Sequence, residues 1–67
     1  MHYSQDKLNE LWDKARSSGA GLDGLERRAR VIIDDEVEQR ISVPVEDGGD
    51  VVHYTRRNES DPWKEAD

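Results

Sequence analysis

Cysteine is absent from these 67 residues. That excludes disulfide staples, and with only His2 and His53 as imidazoles it leaves no tetrahedral zinc set. It also fits a reducing compartment, and the cytoplasm is the expected location. No hydrophobic run approaches the ~20 residues of a membrane span, so no membrane partner is expected. Residues 1–7 lack the apolar segment of a secretory signal. Without such a route, the Asn58-Glu59-Ser60 sequon reads as chance. Basic residues are also scarce: 10 Lys and Arg stand against 16 Asp and Glu, a net charge of −6. That balance argues against broad binding to a phosphate backbone. It suits attraction to a partner with a basic surface.

Catalytic and cofactor signatures are missing too. There is no nucleophile motif, Walker-type loop or dinucleotide fingerprint. Gly19-Ala20-Gly21 is a G-x-G without a preceding strand or a third glycine. Glu46, Asp47 and Asp50 crowd a turn without the ligand spacing of a calcium loop. No enzyme activity, metal or cofactor is expected. Eighteen large apolar residues make a thin core for a chain of this length. A thin core without staples favours burying more surface against a partner or a second copy, so a homo-oligomer is one expected state.

What is present begins with a helix over Ser4 to Arg16. Leu8, Leu11, Trp12 and Ala15 recur on one helical face, with Lys7, Glu10, Asp13 and Lys14 opposite. Ser4 is a suitable N-cap, and Ser17-Ser18-Gly19 ends the pattern. After the Gly19–Gly21 connector, Asp23 and Glu26 have capping-box spacing. Leu25, Ala29, Ile32, Ile33 and Val37 make a second apolar stripe. Glu26–Arg30, Arg30–Asp34 and Glu36–Arg40 are opposite charges four apart. These signals predict a second helix. The rival reading takes Val31-Ile32-Ile33 as a β-branched strand and Asp34-Asp35 as a turn. It gives one helix plus a three-stranded meander over 29–33, 37–45 and 51–57.

Ile41 to Arg57 reads as a β-hairpin around Gly48-Gly49. Ile41, Val43 and Val45 share one face, with Arg40, Ser42 and Pro44 on the other; Val52 and Tyr54 are expected inward. Pro44 predicts an edge strand, because proline cannot donate to a ladder. An edge is a place where another chain can add. From Asn58 onward the composition is that of a mobile polar tail, apart from Trp63, which either folds back onto the core or anchors a partner.

The expected fold class is therefore α+β: one small domain over 1–57, two helices followed by an antiparallel β-hairpin, and a tail over 58–67. The expected function is a non-enzymatic, acidic protein-interaction module that binds and modulates another protein, as accessory, antitoxin-like or inhibitor proteins do. Its candidate partner-binding residues are the acidic cluster Asp34, Asp35, Glu36 and Glu38, the edge residues Ile41, Val43 and Val45, and Trp63. Two alternatives stand beside it. One is a small dimeric nucleic-acid-binding regulator using Arg27, Arg28, Arg30, Arg56 and Arg57. Two helices before a hairpin resemble, in architecture alone, part of a winged helix-turn-helix. The other is an acidic nucleic-acid mimic that blocks a basic groove through the Asp34–Glu38 cluster.

Overall fold

A computed structural model describes residues 3–46 and 48–66. Met1, His2, Asp47 and Asp67 lie outside the described residues, and with them the expected fraying at His2 and the central carboxylate of the 46–50 turn. The chain forms one α-helix and a four-stranded antiparallel sheet, a small α+β domain.

Helix α1 spans Gln5–Arg16. Ser4 caps it by accepting the Lys7 amide at 3.1 Å, and Asp6 places a negative charge in the first turn. Its apolar stripe delivers Leu8, Leu11 and Trp12 to the core. The helix ends as Ser18 and Gly19 turn to positive φ and the Gly19 amide returns to the Lys14 carbonyl at 2.7 Å.

The expected second helix is a correction. Only a short 3-10 turn forms, over Gly24–Arg28, and Asp23 makes no side-chain cap bond to it. The chain then extends into β1, Arg30–Asp34. Each helical charge pair is worth only tenths of a kcal/mol. The β-branched run Val31–Ile33 gains more by pairing in a sheet. The charges pair elsewhere: Glu26 with Lys7, Asp34 with Arg16 and Arg40 with Glu38. The expected stripe does not share a face either. Ala29 is buried, whereas Ile32 is 50% and Val37 76% exposed. With one α-helix, the winged helix-turn-helix likeness also lapses.

Strand β2, Gln39–Pro44, pairs with β1 on one side and with β3, Val51–Arg56, on the other. The edge expected at Ile41–Val45 is therefore corrected: β2 is interior, and β1 holds the edge. Pro44 is tolerated because it is the last residue of β2, two beyond the start of β1 at the Arg30–Ser42 pair. The Val45 amide donates across the hairpin to Asp50, so Pro44 turns its polar groups away from β3. There the Tyr3 hydroxyl donates to the Pro44 carbonyl. A bulge at Val31–Ile33 kinks β1 and disturbs its free edge.

The polar tail is corrected as well. Asn58 starts a turn, its side chain accepting the Ser60 amide and its carbonyl the Asp61 amide. The chain then returns as β4, Lys64–Ala66, antiparallel to β3. Trp63 folds back and is 3% exposed. The core consists of Leu8, Leu11, Trp12, Ala29, Ile41, Val43, Tyr54 and Trp63, so the last segment supplies one of its two largest side chains.

Candidate functional site

Strand alternation gives the sheet two chemically different faces. The inner face carries the rows Val31–Ile41–Tyr54 and Asp34–Gln39–Arg56 and is covered by α1. The outer face carries Arg30–Ser42–His53–Ala66 and Ile33–Arg40–Thr55–Lys64. On this outer side Ser42 and Pro44 are buried, whereas Arg40, His53 and Thr55 are half-buried and Lys64 is exposed.

The inner face holds a buried, engaged cation. Arg56 is 8% exposed. Its guanidinium lies 4.2 Å from the Trp63 ring centroid and 5.6 Å from that of Trp12. Its Nε donates to Gln39 Oε1 at 2.6 Å and its NH1 to Asn9 Oδ1 at 3.0 Å. Asn9 Oδ1 also accepts the Trp63 indole N–H at 3.0 Å. The Gln5 side-chain amide bridges both backbone groups of Trp63, accepting from its N–H at 2.7 Å and donating to its carbonyl at 2.9 Å. Burial pushes the Arg56 guanidinium below its ordinary value. Two indole faces and two amide oxygens replace the lost water. This cluster ties the side chains of Arg56 and Trp63 into the fold, and Arg56 also borders the groove described next.

The outer face is open at the opposite level of organisation. Where the β1–β2 turn and the end of β3 meet the 61–64 segment, a groove of about 420 Å³ is lined by Val37, Glu38, Thr55, Arg56, Arg57, Asp61, Pro62 and Lys64. Glu38 accepts from Thr55 Oγ1 at 3.0 Å and from Arg40 Nε at 3.2 Å, which locks it into the sheet surface. Arg57 and Lys64 are exposed, and among the described residues neither is ion-paired. Val37, at the tip of the β1–β2 turn, and Pro62 give the groove apolar walls.

The expected site residues scatter over this framework. Ile41 and Val43 are fully buried, and Val45 is half-buried. Three of the four acidic residues are engaged within the fold. Asp34 pairs with Arg16 at 3.2 Å, Asp35 accepts the amides of Val37 and Glu38 to build its turn, and Glu38 holds Arg40. Glu36 is exposed. The five arginines are not brought together. Arg27 and Arg28 lie exposed in the 3-10 turn. Arg30 Nη1 donates to the carbonyls of Arg27 and Ala29. Arg30 and Arg56 lie two strands and three residues apart and on opposite faces, roughly 14 Å by strand rise and spacing. Sequence reading missed Arg40, Thr55, Asp61, Pro62 and Lys64. The alternation of 39–44 and 51–56 carries the signal for Arg40 and Thr55. Lys64 has none, because nothing in the sequence marks β4.

Among the described residues no group of His, Asp or Glu is placed to hold a metal ion, and no helix is long and apolar enough to cross a membrane. No protein-family model matches the chain, and comparisons with curated proteins and with solved structures give no match.

Proposed function

We propose that this chain is a non-enzymatic interaction module that binds and modulates another protein through the outer sheet face and the adjoining groove. The carrying observation is the pair of exposed cations, Arg57 and Lys64, beside a groove walled by Val37 and Pro62. An apolar cleft flanked by charge that is unpaired among the described residues suits a partner's side chains better than it suits water. The nucleic-acid reading has less support, since its arginines lie apart. The mimic reading has less as well, since Asp34, Asp35 and Glu38 already hold internal partners.

Site-specific photo-crosslinking in the cells that make the protein tests this. Benzoylphenylalanine replacing Val37 is expected to capture one discrete protein, and the same group replacing Asp13, on the exposed side of α1, is not. Equal capture at both positions, or none at position 37, overturns the proposal.

A further inference from the structure

At the C-terminal end of α1, a notch of about 350 Å³ is lined by Ala15, Ser18, Gly19, Arg27, Ala29 and Arg30. It shares no lining residue with the Val37–Pro62 groove, so it stands apart from the proposed docking surface. Among the described residues no carboxylate lines it. The small side chains of Ala15 and Ala29 leave the space open, and two arginines border it. The Arg30 head is fixed: its Nη1 donates to the carbonyls of Arg27 at 2.6 Å and Ala29 at 2.8 Å. That leaves Nε and Nη2, the edge with which arginine grips a pair of anionic oxygens, without a partner among the described residues. Arg27 is exposed, and its side chain has no ion pair or hydrogen bond among the described residues. Glu26 and Asp34, the acids flanking this stretch of chain, are paired with Lys7 and Arg16.

Donors and acceptors are out of balance in this notch. The carbonyls of Gly19, Arg27 and Ala29 are engaged, the first by the Leu22 amide and the others by Arg30. The carbonyls that end α1 are engaged too: those of Asp13 and Lys14 accept the Ser17 and Gly19 amides, and that of Ser17 accepts the Ser18 hydroxyl. The negative pole of the helix, which would repel an anion, is thereby partly covered. What the notch has left over is donors and positive charge. We infer that it binds a phosphomonoester group, held between Arg27 and the free edge of Arg30. Such a group carries about 1.5 to 2 negative charges at pH 7 and three terminal oxygens, enough for two guanidinium groups at once. A carboxylate carries one charge and fills one fork. A nucleic-acid backbone brings single charges in series, and the chain's net charge of −6 repels the phosphates on either side. The notch is at the small end of ligand sites, a size for a terminal group and not for an extended strand.

NMR titration of the full chain, following backbone amides and arginine Nε–H signals, tests the inference. The probes are inorganic phosphate, glycerol 3-phosphate, a phosphoserine peptide, acetate, and an oligothymidylate without a terminal phosphate. Inorganic phosphate is expected to bind saturably, moving the Nε–H signals of Arg27 and Arg30 and the amides of Ser18 and Gly19. Its affinity should fall at least about threefold from roughly pH 7.5 to 5.5, as the dianion takes up a proton near pH 6. Arg27→Gln should weaken binding at least about fivefold at an unchanged urea midpoint, because the Arg27 side chain holds nothing in the fold. Arg30→Lys should weaken it as well, since a lysine presents no fork. Whichever binds more tightly, glycerol 3-phosphate or the phosphopeptide, identifies the source of the group and supports the site. Four results overturn the inference: no saturable phosphate binding, equal binding of acetate, wild-type affinity in Arg27→Gln, or shifts that leave Arg27 and Arg30 unmoved. Tighter binding of the oligothymidylate than of every phosphomonoester also overturns it, in favour of a nucleic-acid backbone.

Discussion

The two faces of one sheet are built from neighbouring residues of the same strands, yet they treat charge in opposite ways. Arg56 points inward and is held by two indoles and two amide oxygens. Arg57, the first residue beyond β3, is exposed and is ion-paired to nothing among the described residues. Sequence neighbours of identical type thus differ completely in role. The difference teaches that burial, and not residue type, decides whether a cation serves the fold or the surface. A buried guanidinium must have its donors satisfied. An exposed one needs nothing from the protein and stays available.

Breaking the inner face should have the largest effect. Trp63→Ala removes a buried ring, its tilted contact with Trp12 at 5.3 Å and the partner of Gln5, and should cost about 3–5 kcal/mol. For so small a domain this approaches the whole stability, so circular dichroism should show a largely unfolded chain. Retention of a wild-type urea midpoint would mean that β4 and Trp63 are dispensable. Arg56→Met keeps the bulk but leaves Gln39 Oε1 without its donor and Asn9 Oδ1 with only the Trp63 indole, and should cost about 1–3 kcal/mol by urea unfolding. Arg56→Lys should not restore it, since a point ammonium cannot span both oxygens and stack on two rings.

Smaller changes sharpen the contrast. The Tyr54 hydroxyl is buried without a hydrogen-bond partner among the described residues. Tyr54→Phe should leave stability unchanged or raise it by up to about 1 kcal/mol, and a clear loss would show that a water or an outlying residue satisfies that hydroxyl. Weakest of all are the exposed carboxylates. Hydrogen bonds from Lys14 and Lys7 hold Glu10 below the ordinary value of 4.5, whereas the hydrogen bond with Asp50 raises Glu46 above it. The contribution of Glu10 is present above the ordinary value and is lost as pH falls through its lowered one. The contribution of Glu46 has the opposite sign: present in acid, lost as pH rises through its raised value. Side-chain carboxyl titration by NMR should place the Glu46 midpoint above that of Glu10, and the reverse order would contradict the geometry.

The parts of the fold legible in the sequence are those set by local periodicity. The α1 stripe and the Ser4 cap read directly, and the alternation of Ile41, Val43, Val52 and Tyr54 marks the inward face. The second helix misleads because Leu25, Ala29 and Ile33 fall at helical spacing by chance, while the preference of the β-branched run is realised only once β2 lies beside it. Strand β4 is illegible for a related reason. Lys64, Glu65 and Ala66 have no strand preference, and they extend because Trp63 is anchored and β3 offers an edge. The candidate groove inherits this blindness, since two of its walls belong to the 61–64 segment.

The bridge from Gln5 to the backbone of Trp63 spans 58 positions of chain. Such a latch gives the domain a high contact order, and closing so long a loop must precede the interaction that rewards it. During synthesis, α1 emerges before Trp63 does, so the Trp12–Trp63 ring contact and the Gln5 latch form only when Trp63 has left the ribosome. Until then Trp12 lacks its ring partner. Folding is thereby tied to completion of this segment, and a nascent chain stalled before Trp63 should expose an apolar helix face to chaperones and proteases.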